Sequence, residues 1–267
     1  MLRQRVITAI MLVAILLLVM LGLPPIATVG LITVLVLIGA WEWAAFLGNG
    51  SIAARSAFTL AVAASLAALY LYGHGPEQVR VVMTAAMVWW MAAFFWVCLA
   101  PARVHPFAAG FAGLMALVPC WLALVYVTLT TNNTHWVLFT LALVWAADTG
   151  AFFAGRWFGR VLLAPRVSPK KTWEGVFGGI FASALVAWFA ARFLFKVDIW
   201  PFVVTCIAVA ALSIIGDLTE SMLKRTVGLK DSGSVFPGHG GMLDRIDSVT
   251  AAAPALVFAL MGLRIIP

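Results

Sequence analysis

Trp200-Pro201-Phe202-Val203-Val204-Thr205-Cys206-Ile207-Ala208-Val209-Ala210-Ala211-Leu212-Ser213-Ile214-Ile215-Gly216 contains no charged side chain, and Asp217-Leu218-Thr219-Glu220-Ser221-Met222-Leu223-Lys224-Arg225 follows it directly. A strand of a membrane barrel would alternate apolar with polar residues, and this run does not. Roughly 20 apolar residues in a helix cross the hydrocarbon core of a bilayer. The stretch therefore predicts a membrane helix with polar chemistry at one end.

The remainder of the 267 residues has the same character. Hydrophobic residues are 64% of the chain and charged ones 10%, against about 45–50% and about 25% in a typical soluble domain. Mean hydropathy is +1.07. A soluble globule cannot hide that much apolar surface, so lipid must be the solvent for most of it. A soluble enzyme, a disordered chain and a disulfide-stapled secreted domain are excluded. The net charge of +7 would suggest nucleic acid in a soluble protein. Here the bases flank spans, and no nucleic-acid partner is expected. Cys98, Cys120 and Cys206 lie in apolar runs without metal-ligand spacing and read as packing residues.

Nine spans are expected, at 6–23, 26–47, 56–73, 81–100, 107–129, 136–154, 175–195, 200–216 and 249–265. Turn chemistry or charge separates them, as at Pro24-Pro25, Gly48-Asn49-Gly50-Ser51 and Gly73-His74-Gly75-Pro76. The first is longer than a secretory apolar region and reads as a retained helix. Pro119 is expected to kink the fifth. The Ala-rich third is expected to pack closely. No internal repeat is evident, which weighs against a transporter.

With the N-terminus cytoplasmic, thirteen bases fall on that side: Arg3, Arg5, Arg55, Arg103, Arg156, Arg160, Arg166, Lys170, Lys171, Lys224, Arg225, Lys230 and Arg245. The other side holds four: Arg80, Arg192, Lys196 and Arg264. The positive-inside rule supports this orientation. Charge is also uneven along the chain, since residues 148–247 hold eight of ten acids and eleven of seventeen bases. The expected fold is thus an all-α polytopic integral membrane protein of nine helices, its polar site at the cytoplasmic ends of the C-terminal ones. Residues 1–135 form a hydrophobic scaffold holding the first five spans. Residues 136–267 form a catalytic region with the last four and cytoplasmic loops 155–174 and 217–248.

If the eighth span continues as a helix past Gly216, Asp217, Glu220, Ser221 and Lys224 share one face. At the start of the ninth, Asp244, Asp247 and Ser248 do the same. Two antiparallel helices would bring these stripes together. Four carboxylates in a small volume near lipid need a cation or a basic partner. Oxygen-only donors indicate a hard cation such as Mg²⁺, completed by substrate phosphates. Asp217, Asp244 and Asp247 are the candidate ligands, with Asp148 nearby. Read singly, each acid could equally be a helix-end charge, and Asp244 could cap the ninth helix.

Around them, Lys224, Arg225, Lys230 and Arg245 mix with a Gly-rich turn, a combination suited to metal and phosphate together. His239, between Gly238 and Gly240, is either structural or a phosphate contact or proton donor. It is no zinc ligand, lacking a nearby His or Cys. Before the seventh span, Ser168-Pro169 reads as a helix N-cap and first residue. Lys170 and Lys171 with that helix end would form an anion site. Asp148 lies deep in the sixth span, where a carboxylate must face a polar cavity or partner. Glu42, near a span end, reads as snorkelling to the interface and is left without a role.

Ser221-x-x-Lys224-Arg225, Lys230-Asp231-x-Gly233 and Phe236-Pro237-x-His239-Gly240-Gly241-x-x-Asp244-Arg245-x-Asp247 together resemble the signature of the phosphatidate cytidylyltransferases, or CDP-diglyceride synthases. Ser168-Pro169-Lys170-Lys171-Thr172 and Asp148-Thr149-Gly150 are similar to further blocks of that family. The resemblance is specific over roughly residues 145–250. It implies the reaction CTP + phosphatidate → CDP-diacylglycerol + pyrophosphate, with one or two cations including Mg²⁺. It implies catalytic roles for Asp217, Lys224, Asp244 and Asp247. Ser168, Lys170, Lys171, Ser221, Arg225, Lys230, His239 and Arg245 would contact substrate or phosphate. It also suggests a homodimer in a bacterial inner membrane.

That chemistry suits the residues. A phosphate oxygen of phosphatidate is already a nucleophile at neutral pH, so no Ser/His activation is required. One alternative is a CTP-dependent polyprenol or phytol kinase, whose neutral acceptor calls for a general base. An ion-coupled transporter is the alternative of another class, but it predicts midspan charges on several helices.

Overall fold

A computed structural model describes residues 2–48, 51–99, 104–132, 134–233 and 240–267. Among these, nine long α-helices run in order: α1 (Leu2–Gly22), α2 (Pro25–Trp43), α3 (Ile52–Tyr72), α4 (Pro76–Leu99), α5 (Pro106–Thr131), α6 (His135–Phe158), α7 (Trp173–Phe189), α8 (Ile199–Thr226) and α9 (Leu243–Gly262). Eight of them, α2 to α9, are long and apolar enough to cross a membrane, and α1 adds the apolar stretch Val13–Gly22 among the described residues. The chain is an all-α polytopic membrane protein, as expected.

Local chemistry explains the breaks. Pro25 and Pro106 open α2 and α5, where a missing N–H costs nothing. Ser51 caps α3 by accepting from the Ala54 N–H at 3.2 Å. A 3₁₀ turn over Ala44–Leu47 prolongs α2. A π-turn over Ala190–Phe195 prolongs α7.

The helices outrun their apolar runs where it matters. α8 continues to Thr226, well past Gly216, and α9 begins at Leu243 rather than 249. Both extensions carry the polar stripes into regular helix.

α5 and α9 occupy the middle of the bundle, and α3 and α7 its rim. Pro119 sits buried within α5. One apolar core joins residues of both expected regions, from Val36 and Trp43 to Leu243 and Leu256.

Close packing is not at the Ala-rich α3, where only Phe58, Val62 and Leu66 are buried. That helix touches chiefly α2 and α5, and most of its alanines are exposed. The close seam lies between α6 and α7 instead. A Cβ at Gly150 would come 2.5 Å from the Gly178 carbonyl, and one at Gly179 would come 2.7 Å from the Ala147 carbonyl. Glycines there let two backbones touch.

The segment between α6 and α7 corrects another expectation. It is an antiparallel hairpin, β1 (Leu162–Ala164) with β2 (Ser168–Thr172), pairing Leu162 with Thr172 and Ala164 with Ser168. Ser168 is therefore not an N-cap. Its successor, Pro169, biases it to extended backbone, and the cap passes to Thr172, whose Oγ1 accepts from the Gly175 N–H at 3.2 Å. Lys170 and Lys171 lie on a strand, not at the start of a helix.

Candidate active site

The hairpin folds back over the ends of α6 and α8. A cavity of about 540 Å³ opens between them, lined on its polar side by Asp148, Arg156, Ser168, Lys170, Lys171 and Asp217. Phe152, Val176, Ile180 and Ile214 form apolar wall. Charged groups from three separate chain segments thus meet above a greasy cleft between helices.

Within it, the Lys171 Nζ lies 2.5 Å from Asp217 Oδ2, both side chains about a quarter exposed. The Ser221 hydroxyl donates to Asp217 Oδ1 at 3.2 Å, from one turn further along α8. Asp148 faces Asp217 closely enough to repel it, and Lys171 offsets both. Lys170 and Arg156 are exposed at the cavity. Arg156 stands in the last turn of α6. Spacing in the sequence assigned it no site role; that it lines the same cavity as Lys170 is a tertiary fact.

The second polar group lies where α8 ends and α9 begins. Lys224 is 8% exposed and pairs with Glu220 at 2.9 Å and Asp244 at 2.7 Å. Glu220 is 1% exposed, and apart from that ion pair neither of its oxygens receives a hydrogen bond. Asp244 also accepts from the backbone N–H of Ser232 at 3.0 Å and of Gly241 at 2.8 Å. Asp247 accepts from the Ser248 N–H at 2.7 Å and lies within electrostatic reach of Asp217 and Glu220. Gly216 permits this approach, since a Cβ there would stand 2.6 Å from the Asp247 carbonyl. The two acidic stripes do come together, interleaved with lysine.

Arg225, Lys230 and Arg245 are exposed and do not line the cavity. His239, with Phe236 and Pro237, lies outside the described residues.

Glu42 overturns its expected snorkelling. It is 3% exposed, and it, not Asp244, caps the start of α9. Its Oε1 accepts from the Met242 N–H at 3.1 Å and its Oε2 from the Leu243 N–H at 2.8 Å. The only sequence signal was a carboxylate inside an apolar run, which lipid tolerates only if partnered. The partner lies 200 residues away.

Among the described residues, no three Asp, Glu, His or Cys side chains converge as a metal ligand set. The chemistry of the donors nonetheless fits a hard cation: they are all carboxylates, and Glu220 is buried with no counter-charge but Lys224.

Such a site suits a reaction between anions. Its lysines and arginine offer donors for phosphate oxygens, and its apolar wall offers a surface for an acyl chain. The comparisons agree. A model of the cytidylyltransferase family matches residues 3–263. The chain is similar to a phosphatidate cytidylyltransferase of Pseudomonas aeruginosa, 40% identical over 98% of this chain and 97% of that protein. It is similar also to one of Haemophilus influenzae, 35% identical over 95% and 96%. One of Staphylococcus epidermidis is 42% identical over 49% of this chain and 51% of its own. The likeness thus extends from the charged C-terminal motifs through the hydrophobic N-terminal spans, and the chain belongs to the cytidylyltransferase family.

Proposed function

We propose that the protein is a phosphatidate cytidylyltransferase of phospholipid synthesis, converting CTP and phosphatidate to CDP-diacylglycerol and pyrophosphate. The observation that carries this is the cavity between α6, the hairpin and α8, charged at its mouth and apolar between its helices. A phosphate oxygen of phosphatidate attacks the α-phosphorus of CTP. The bond to the bridging oxygen breaks, and pyrophosphate leaves with the electron pair. No proton need be removed from the nucleophile, so alignment and charge neutralisation carry the catalysis.

Ser168, Lys170, Lys171 and Arg156 hold phosphate oxygens at the mouth. Ser221 orients Asp217. Lys224, balanced between Glu220 and Asp244, supplies positive charge behind them. Arg225, Lys230 and Arg245, which are exposed, bind the nucleotide, as does His239. Asp217, Asp244, Asp247 and Asp148 would hold Mg²⁺, which when bound neutralises the triphosphate. The apolar wall at Phe152, Val176 and Ile180 admits the diacylglycerol from lipid.

The protein sits in a bacterial inner membrane with this face to the cytoplasm. Loop charge supports that placement, as does the need for CTP, which cannot cross a bilayer. A homodimer belongs to the same proposal; the rim helix α3, with Ile52, Leu60 and Tyr72 exposed, offers apolar surface to lipid or to a second copy. Purified protein given radiolabelled CTP and phosphatidate should yield a lipid-linked cytidine product. No cytidine label on lipid would overturn the proposal, and transfer of the CTP γ-phosphate to an added polyprenol would favour the kinase.

A further inference from the structure

We propose that Glu42, on the N-terminal side of the fold, is a positioning residue that sets the geometry of Asp244 and Lys224 for turnover. This rests on the function proposed above. Glu42 is buried at the end of α2. Among the described residues no Lys, Arg or His pairs with it. Its charge is met instead by the two N–H groups at the start of α9, by the positive end of that helix, and by the Ser232 hydroxyl, which donates to Oε2 at 3.2 Å.

The loop is shaped around this carboxylate. A Cβ at Gly233 or Gly241 would collide with the Glu42 carboxyl group. Gly240 adopts a φ of +79°, and a Cβ there would stand 2.6 Å from Asp244 Oδ2. Ser232 is the hinge between the two acids. Its hydroxyl donates to Glu42 and accepts from the Asp244 N–H at 3.3 Å, while its own N–H donates to the Asp244 carboxylate at 3.0 Å. Asp244 in turn holds Lys224. Glu42 itself stands on a firm base: the neighbouring Trp43 indole donates to the Ala109 carbonyl of α5 at 2.9 Å. Glu42 does not line the cavity, and neither do its hydrogen-bond partners Ser232, Met242 and Leu243. Its effect on the reaction passes to Asp244 through the turn it holds, by the Ser232 hydroxyl and the Met242 and Leu243 amides.

The test uses the full-length protein in detergent–phosphatidate micelles, with Glu42→Gln, Ser232→Ala and the double variant. Glu42→Gln keeps the shape but sets an amide N–H₂ against a backbone donor. A lost hydrogen bond to a charged group predicts a fall in kcat of roughly ten- to a hundredfold, with KM for CTP within about twofold. Ser232→Ala should show the same pattern more weakly. The double variant should be no slower than Glu42→Gln alone, because both act through one turn. Hydrogen exchange supplies a readout independent of activity: the amides of residues 240–244 should lose protection in Glu42→Gln while those of α5 keep theirs.

Unchanged kcat in folded Glu42→Gln, a rise in KM alone, or multiplying losses in the double variant would overturn the proposal. If Glu42→Gln does not fold, Ser232→Ala decides on the same kcat and exchange criteria. If the wild-type protein transfers no cytidylyl group, the function proposed above fails. The exchange experiment then decides for Glu42 alone, with unaltered loop protection counting against it.

Discussion

Lys171 and Asp217 meet at 2.5 Å across the cavity, one from the strand β2 and the other from α8 just past its apolar run. The pair joins the base proposed for phosphate to the acid proposed for the cation. Asp217→Asn should nearly abolish turnover in a protein that still elutes as a folded species. Lys171→Ala and Lys170→Ala should each lower kcat/KM roughly ten- to a hundredfold, the worth of one charge-assisted hydrogen bond. Steady-state kinetics on purified variants checks this. Wild-type kinetics in both lysine variants would reduce them to topology anchors.

Lys224 is a different kind of residue. Its partners Glu220 and Asp244 are poorly exposed, the Glu220 side chain at 2% and that of Asp244 at 12%. Removing one member of a buried ion pair strands the other, at about 3–5 kcal/mol. Lys224→Met should therefore lower the melting temperature as well as activity. Adding Glu220→Gln should restore part of the stability, because the stranded charge is gone. Calorimetry or fluorescence melting in detergent separates the two effects.

The seam between α6 and α7 should tolerate no side chain. A Cβ at Gly178 would run into Ala154 and come 2.8 Å from the Gly150 carbonyl. Gly178→Ala should cost about 1–3 kcal/mol by overpacking. Because Asp148 lies on α6 and Lys171 on the strand that leads directly into α7, activity should fall further than the melting temperature suggests. Equal activity per folded molecule would show that the cavity does not depend on helix contact.

Metal dependence is directly measurable. Chelation of divalent cations should abolish cytidylyl transfer, and added Mg²⁺ should restore it. Asp217→Asn and Asp247→Asn should raise the Mg²⁺ concentration needed for half-maximal rate, or remove the response altogether. Full activity in excess chelator would exclude the cation from the proposed site.

Orientation can be read by labelling. Lys230 is exposed just beyond α8. Lys230→Cys, in a chain without Cys98, Cys120 and Cys206, should resist an impermeant thiol reagent in intact cells and react once the membrane is opened. Reaction in sealed cells would overturn both the cytoplasmic placement and the proposed route for CTP.

Much of the protein was determined by sequence alone, because lipid leaves a chain few choices. In hydrocarbon every backbone group must bond within its own segment, so a long uncharged run is a helix. The eight long apolar helices α2 to α9, the face shared by Asp217, Ser221 and Lys224, and the face shared by Asp244 and Asp247 follow from composition and spacing alone. The family motifs do as well, since they are contiguous.

Tertiary structure decided what spacing cannot express. Ser168 to Thr172 pairs with Leu162 to Ala164 as a hairpin, although the Ser-Pro pair carries a helix-start signal. The Pro restriction on the preceding residue and a partner strand outweighed it. Arg156 lines the cavity from the last turn of α6, a helix that touches α7 along glycine. Glu42 meets Met242 and Leu243 because α2 packs against the start of α9, Gly39 lying within 3.3 Å of the Ile246 side chain once a Cβ is added. A local pattern can say that a buried carboxylate needs a partner. Which donors from distant parts of the chain arrive beside it depends on how the helices pack, and no local periodicity encodes that.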